Sequence, residues 1–326
     1  MSKNRFPEGG AVMKKLAVVQ RASGFLDKQQ SIALVVESIQ SAANNGAELV
    51  VFTEAFIPGY PVWLWRLRPG KDWGTTDSLY QRLMSNAVDL SSTDLDPIYE
   101  AAKRHHVTVV CGINERDSSI SRTTLYNTYI TICHEGNLIN VHRKLMPTNP
   151  ERMVWGFGDA TGLRVIDTPV GRIGALLCWE NYMPLARYAL YAQGVEIYIA
   201  PTYDSGSDWT ESLRHIAREG RCYVVGSGNL LRASDLPDDF PEKETLYPDT
   251  DEWVNGGDST IIAPGGETLV APLHAEEGIL YCDVDTDKVA AARRSFDVAG
   301  HYSRPDIFTL NVNRQPQTSI RIKEAE

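Results

Sequence analysis

Short apolar strands alternate with amphipathic helices through most of this chain, and that alternation limits its fold more than any other feature. One helix is predicted over 28–44, because apolar side chains recur there at helical spacing and Gly46 then ends it. Further helices are predicted over 97–106, 184–193 and 209–219, and strands over 16–19, 48–53, 107–112, 172–177, 195–200 and 222–226. Two hairpins are predicted as well, 126–133 with 138–142 and 259–263 with 268–271. The mixture predicts an α/β fold in which helices pack outside mixed sheets.

Charge and cysteine content narrow the partners and the compartment. The 326 residues carry a net charge of −10, which argues against nucleic acid or an anionic membrane as a partner, since both bind basic surfaces. No apolar run has the length of a membrane span. The five cysteines are odd in number and widely spaced, and no His/Cys cluster suggests zinc. A reducing, cytoplasmic location fits this pattern.

We expect one domain over residues 14–310. Residues 1–13 are interpreted as a loose leader, within which Met13 is an alternative start, and residues 311–326 as a polar tail that contacts a neighbouring subunit. Two stretches, 61–90 and 233–255, break the alternation and are predicted as irregular surface segments. Loops of that length in a compact domain are usually functional or in contact with a partner.

Three polar residues follow predicted strands and could therefore meet at one rim of the sheet. Glu54 ends the strand 48–53, Lys144 follows the hairpin strand 138–142, and Cys178 follows the strand 172–177. We expect a helix to begin at Cys178, so that its first N–H groups and the helix dipole favour a thiolate. Each residue alone also has an ordinary interpretation, as a solvated glutamate, a surface lysine or an inert buried cysteine.

The sequence around these three residues forms three recognisable blocks. They are Phe-Thr-Glu-Ala-Phe-Ile-Pro-Gly-Tyr-Pro (52–61), His-Arg-Lys-Leu-Met-Pro-Thr (142–148) and Cys-Trp-Glu-Asn-Tyr-Met-Pro-Leu (178–185). In this order they closely resemble the signature blocks of the nitrilase (carbon–nitrogen hydrolase) superfamily. The resemblance runs from about residue 16 to residue 310 and includes 151–159, 200–202 and 297–306. It implies a four-layer α-β-β-α sandwich.

The resemblance also implies a role for each of the three residues. Cys178 is expected to be the nucleophile, Glu54 the general base and Lys144 the electrostatic stabiliser. The chemistry needs these types, because a thiol becomes an efficient nucleophile only when a nearby base takes its proton. Attack on C≡N or C=O develops negative charge, which an ammonium and the backbone N–H of Trp179 can receive.

Supporting and substrate-binding residues follow from the same resemblance. Glu151 is expected to orient Lys144 or the substrate, and a surface salt bridge with Arg152 is the competing interpretation. Tyr60 and Thr202 are candidate substrate-binding residues. Trp63, Trp65 and Trp179 could stack on an aryl group, although ordinary packing is the stronger interpretation for Trp63 and Trp65.

The block after the cysteine resembles the nitrilase branch, which implies hydrolysis of a nitrile to a carboxylic acid and ammonia. An amidase or carbamoylase of the same superfamily and a cyanide-degrading relative are the alternatives. The resemblance implies no metal and no organic cofactor. The physiological nitrile stays open between aliphatic, aromatic, arylacetonitrile and cyanide. The insertions and the tail match family segments that make subunit contacts, so we expect a homo-oligomer, with dimers building into larger spirals.

Overall fold

The computed structural model describes residues 13–118 and 121–318, in which two β-sheets carry the chain's buried core. The strands, β1 to β13 in chain order, are Lys14–Gln20, Leu49–Val51, Thr108–Arg116, Leu125–Ile132, Leu138–Arg143, Ile166–Thr168, Gly171–Ala175, Ile197–Thr202, Tyr223–Gly228, Leu230–Arg232, Trp253–Ile262, Thr268–His274 and Gly278–Val284. The first sheet has the order β13-β1-β2-β3-β4-β5. The second has the order β10-β11-β9-β8-β7-β6, and β12 pairs with β11 beside this path.

Helices cover the outer face of each sheet. The helices, α1 to α7, are Lys28–Asn44, Trp73–Ser85, Asp96–His105, Pro184–Tyr191, Ser207–Gly220, Lys243–Leu246 and Asp287–Arg293. Apolar side chains of α1 and α3 pack on one face of the first sheet, and those of α4 and α5 pack on one face of the second. A third apolar cluster joins the inner faces of the two sheets. The predicted four-layer α-β-β-α sandwich is therefore confirmed.

Alternating side chains of the central strands explain this layering. In β1, Ala17 and Val19 face the helices, while Leu16 and Val18 face the other sheet. All four are fully or almost fully buried, as expected for strands covered on both faces. The predicted hairpin of 126–133 with 138–142 is also present, as antiparallel β4 and β5.

The two stretches predicted as irregular contain regular structure, so that expectation was wrong in part. Helix α2 lies within 61–90, and α6 and the start of β11 lie within 233–255. The two stretches pack on each other, since Leu79 and Leu83 of α2 share an apolar cluster with Leu236 and Phe240. The apolar side chains of each stretch are therefore buried against residues that are distant in sequence.

Both chain ends lie largely outside the described residues. Of the predicted leader only Met13 is described, and of the tail residues 311–318 are described, where they form neither helix nor strand. Within the described part of the chain no helix is long and apolar enough to cross a membrane.

Candidate active site

Glu54, Lys144 and Cys178 are brought together where the two sheets face each other. Glu54 lies three residues beyond β2, Lys144 directly follows β5, and Cys178 lies three residues beyond β7 of the second sheet. Strand β3 approaches the Glu54 loop so closely that a Cβ on Gly112 would lie 2.3 Å from the Thr53 carbonyl oxygen. Only glycine fits there, so the sequence of β3 helps to position Glu54.

The reactive atoms of the three side chains lie in one buried cluster. Lys144 Nζ donates to Glu54 Oε1 at 2.8 Å and to Glu151 Oε2 at 2.8 Å. The Cys178 sulfur, a Glu54 oxygen and a Glu151 oxygen all lie within 4.8 Å of one another. These three ligand atoms are close enough to hold a metal ion, but the Lys144 ammonium already contacts both carboxylates and supplies the positive charge between them.

Glu151 belongs to this cluster rather than to the surface. It is buried, and its carboxylate accepts the Tyr60 hydroxyl at 2.6 Å and the Thr148 backbone N–H at 2.6 Å in addition to Lys144. The competing interpretation, a surface salt bridge with Arg152, does not describe it. Arg152 instead donates to the Pro147 carbonyl. The geometry fits a carboxylate that orients the ammonium.

The backbone at Cys178 differs from the expected helix start. Residues Cys178–Tyr182 form a 3-10 turn, and α4 begins only at Pro184. Cys178 itself has φ +47°, in the left-handed region of backbone conformation that residues other than glycine rarely adopt. Strain of this kind costs about 1–3 kcal/mol and persists only where neighbours hold it. Local backbone geometry, rather than the dipole of α4, therefore sets the position of the sulfur.

Burial dominates the protonation of the cluster. Burial, and then the negative charge of Glu54, raises the pKa of the Cys178 thiol to about 12. Burial also raises the pKa of Glu54 above its usual value, against the opposing effect of the Lys144 charge. Burial alone would lower the pKa of Lys144, but the charges of Glu54, Cys178 and Glu151 outweigh it and raise that pKa. The resting state thus holds an ammonium beside a thiol whose proton only a base can remove.

A cavity of about 240 Å³ opens onto the cysteine. Its lining includes the three aromatic side chains Tyr60, Trp65 and Tyr203, whose rings are nearly parallel: Tyr60 and Tyr203 stack at 3.9 Å, and Trp65 lies 6.3 Å from Tyr203. Trp179 lines the cavity too, with its indole N–H donated to Asp204 at 2.8 Å. The cavity therefore combines flat aromatic walls with two carboxylates, those of Asp204 and Glu151.

Of the remaining sequence candidates, Trp65 lines the cavity, whereas Trp63 and Thr202 do not. Trp63 is buried and packs edge-on against Phe25, in agreement with the packing interpretation. That interpretation does not hold for Trp65, which is half-exposed at the cavity. Thr202 is buried; its hydroxyl accepts the Asp204 N–H at 2.8 Å, and a hydrogen bond with Thr202 weakly opposes the rise in the pKa of Cys178.

Several groups that contact the cluster were missed from the sequence. Asn127 Nδ2 and the Tyr203 backbone N–H each donate to the Glu54 carboxylate at 2.7 Å, and Asn229 Nδ2 donates to the Glu54 carbonyl. A signal for Asn127 was present, because the predicted hairpin register places it opposite Lys144, whose N–H donates to its carbonyl at 2.7 Å. The Tyr203 donor could not be predicted, because every residue except proline has a backbone N–H.

Comparison with known proteins identifies the family of this chain. The family model of carbon–nitrogen hydrolases matches residues 15–294. The chain therefore belongs to the carbon–nitrogen hydrolase family, whose members hydrolyse carbon–nitrogen bonds other than peptide bonds. It is similar to a bifunctional nitrilase/nitrile hydratase of Lupinus angustifolius, with 38% identity over 325 residues, 95% of this chain and 89% of the relative. These similarities place it in the nitrilase branch of the family.

The chain is also similar in sequence to a bacterial enzyme and similar in fold to two solved structures. An aliphatic nitrilase of Sinorhizobium fredii is 38% identical over 307 residues, 94% of this chain and 97% of the relative. Among solved structures, Saccharomyces cerevisiae Nit3 matches with a TM-score of 0.69 and 20% identity, covering 89% of this chain and 96% of that one. A carbon–nitrogen hydrolase from Helicobacter pylori matches with a TM-score of 0.68 and 19% identity, covering 90% and 96%. At these identities the two structures show the fold alone.

Proposed function

We propose that this protein hydrolyses an organic nitrile to a carboxylic acid and ammonia, with Cys178 as the nucleophile, Glu54 as the general base and Lys144 as the electrostatic stabiliser. The observation that carries the proposal is the buried contact of Lys144 with Glu54, which has a carboxylate oxygen within 4.8 Å of the Cys178 sulfur, and the cavity that this cysteine lines. The similarity to plant and bacterial nitrilases supports the choice of a nitrile over other carbon–nitrogen substrates.

The reaction begins with formation of a bond between Cys178 sulfur and the nitrile carbon. Glu54 takes the thiol proton and passes it to the nitrile nitrogen, giving a thioimidate. A water molecule, deprotonated by Glu54, adds to the same carbon, and Glu54 returns that proton to the nitrogen, giving a tetrahedral intermediate with a hydroxyl and an amino group. Glu54 then transfers the hydroxyl proton to the nitrogen, so that ammonia leaves and a thioester remains. A second water then releases the acid and restores the thiol. Because all proton transfers pass through one carboxylate, Glu54 alternates between base and acid.

Charge stabilisation is assigned to Lys144 and to the backbone N–H of Trp179. In the buried cluster an ammonium interacts with developing negative charge far more strongly than it would in water. Glu151 also accepts a hydrogen bond from the ammonium at 2.8 Å, and the Tyr60 hydroxyl donates in turn to Glu151. The lysine therefore needs little reorganisation when charge develops on the substrate.

The cavity favours a neutral nitrile that carries a planar group. The parallel rings of Tyr60, Tyr203 and Trp65 offer flat apolar surface, on which an aryl or arylmethyl group can stack. Asp204 and Glu151 at the same cavity repel a substrate carboxylate. Thr202 does not line the cavity, and its hydroxyl contributes by accepting the Asp204 N–H.

A matched pair of substrates tests the reaction type. We expect ammonia release from phenylacetonitrile at least about tenfold faster than from phenylacetamide, with phenylacetic acid as the main product, because the site must then act on C≡N in preference to C=O. Acid, amide and ammonia are quantified together, and cyanide and an aliphatic dinitrile are included. A faster reaction with the amide would assign the protein to the amidase alternative, and turnover of cyanide alone would assign it to the cyanide-degrading one.

We further propose that residues 14–310 act as one domain and that the protein assembles into homo-oligomers in the cytoplasm, with no nucleic acid or membrane partner. Apolar side chains exposed around α4 and 302–308 support assembly: Leu185 is 67% exposed and Phe308 is 75% exposed, beside a groove of about 680 Å³. The acidic net charge and the five free cysteines support the compartment.

Light scattering tests the assembly. We expect a mass of at least a dimer for the unaltered protein and a lower mass for Leu185→Asp, because a buried charge would weaken an interface formed by that surface. Leu269→Asp, an exposed leucine on β12, is the control and should not change the mass. A monomer with full activity would contradict the assembly proposal.

A further inference from the structure

Glu180 connects the loop that carries the lysine with the loop that carries the nucleophile. It is 1% exposed, and its two carboxylate oxygens accept different backbone N–H groups: Oε1 accepts that of Leu145 at 2.6 Å, and Oε2 that of Leu177 at 2.6 Å. Leu145 directly follows Lys144, and Leu177 directly precedes Cys178. A single carboxylate thus joins the ends of β5 in the first sheet and β7 in the second.

A buried histidine completes the environment of this carboxylate. His142 Nε2 lies 3.1 Å and 3.2 Å from the two oxygens of Glu180. Its Nδ1 has no hydrogen-bond partner among the described residues. The ring proton therefore lies on Nε2, where it is donated to the carboxylate, because an unpaired buried N–H costs more than an unpaired lone pair. Three donors then converge on Glu180.

The same contacts hold the strained backbone at the nucleophile. Two hydrogen bonds join Leu177 and Glu180 across the turn. The Leu177 N–H donates to the Glu180 carboxylate, and the Glu180 N–H donates to the Leu177 carbonyl at 3.0 Å. Asn181 Nδ2 donates to the Cys178 carbonyl at 2.7 Å. Together these bonds fix Cys178 at its positive φ, which no regular helix or strand would impose.

We propose that Glu180 is a positioning residue that sets the distance between the Lys144 ammonium and the Cys178 sulfur. It does not line the cavity, so it acts on the reaction only through the two loops that it joins. The inference deepens the proposed function, because it assumes that the ammonium and the sulfur act on one substrate. Misplacement of a reacting group by about 1 Å costs on the order of a hundredfold in rate, so a bridge of this kind has a measurable kinetic effect.

Glu180→Gln tests the bridge. The amide –NH₂ cannot accept a hydrogen bond, so either the Leu145 or the Leu177 N–H loses its acceptor. We expect kcat, expressed per reactive thiol titrated with iodoacetamide, to fall by about 10- to 100-fold, while KM stays within about twofold because the cavity lining is unchanged. Glu180→Asp, which keeps the charge but is one methylene shorter, should show a smaller loss of kcat.

Asp94→Asn is the matched control for loss of a carboxylate. Asp94 pairs with Lys28 at 2.7 Å, beside the start of α1, and touches neither loop. We expect its removal to lower the unfolding midpoint without changing kcat. If Glu180→Gln behaves in the same way, with full kcat per reactive thiol, Glu180 only stabilises the fold and the proposal is wrong.

Hydrogen exchange of the unaltered protein gives a second test that does not depend on a variant folding. The Leu145 and Leu177 N–H groups lie outside the strands, yet both donate to a buried carboxylate. We expect their exchange to be as slow as that of the central strand β8, and rapid exchange at either would overturn the bridge. This test uses no substrate, so its failure is distinct from a failure of nitrile hydrolysis. If only an amide is turned over, the kinetic test is made with that amide.

Discussion

At the scale of single residues, burial disfavours the charged forms of Glu54 and Lys144, and the contact between these two side chains favours them. Burial raises the pKa of both acids in the cluster, that of Cys178 to about 12 and that of Glu54 above its usual value. The Lys144 ammonium, 2.8 Å from Glu54, opposes this rise in the pKa of Glu54 and stabilises its carboxylate form. Glu54 is therefore a stronger base than a solvated glutamate, as removal of a thiol proton requires.

The pH dependence of kcat/KM follows from that ionisation. Because Glu54 must be a carboxylate to accept the thiol proton and its pKa is raised, we expect kcat/KM to fall on the acid side with a midpoint above 4.5. Asn127→Leu removes a donor that stabilises the carboxylate, so the pKa rises further and the midpoint should move to higher pH.

Asn140→Leu serves as the control for this pH profile. Asn140 lies on β5 and donates to the Gly162 carbonyl rather than to Glu54. Its replacement should leave the acid midpoint in place even if it lowers stability. A midpoint at or below 4.5 in the unaltered protein, or an equal midpoint in Asn127→Leu, would argue against Glu54 as the base.

At the scale of elements, strand ends position the chemistry and close packing of the backbone fixes it. The Glu54 loop closes on β3, where Ile57 N–H donates to the Gly112 carbonyl at 3.1 Å and a Cβ on Gly112 would meet the Thr53 carbonyl and the Ala55 nitrogen. The contact is between main chains, so no side-chain movement can relieve a larger residue there.

Gly112→Ala tests that closure. We expect the free energy of unfolding to fall by about 1–3 kcal/mol and kcat/KM to fall by at least about tenfold, because the Glu54 loop must move away from β3. Gly74→Ala is the matched control: Gly74 lies in α2 with no atom near its added Cβ, so stability should stay equal or rise by up to about 1 kcal/mol with unchanged activity. Urea unfolding and initial rates measure both, and equal behaviour of the two variants would contradict the close-approach argument.

At the scale of the whole molecule, the sequence was informative wherever local pattern and final structure agree. Helix α1 could be predicted to the residue, because its apolar stripe and its end signal are local. The hairpin of β4 and β5 could also be predicted, because its two strands are separated only by a short turn. Helix α2 could not be predicted in this way, because Leu79 and Leu83 pack against apolar residues of a segment about 160 residues away in sequence, which no local pattern reveals.

The site shows the same division. Glu54, Lys144 and Cys178 could be named because each follows a predicted strand and because the sequence blocks around them resemble those of the carbon–nitrogen hydrolase family. Glu180 could not be given its role, because the acceptor of two backbone N–H groups from different sheets is identified only in three dimensions. The positive φ of Cys178 was likewise hidden, since the sequence after it indicated a helix start.

Mass spectrometry of the protein quenched during turnover of phenylacetonitrile tests the central claim most directly. We expect an adduct on the peptide that contains Cys178, with the mass of the added nitrile for the thioimidate or about 1 Da more for the thioester, and neither adduct nor turnover in Cys178→Ala. Cys222→Ala, a buried cysteine outside the site, should keep both. An adduct on another residue, or acid production that survives in Cys178→Ala, would contradict covalent catalysis at this thiol.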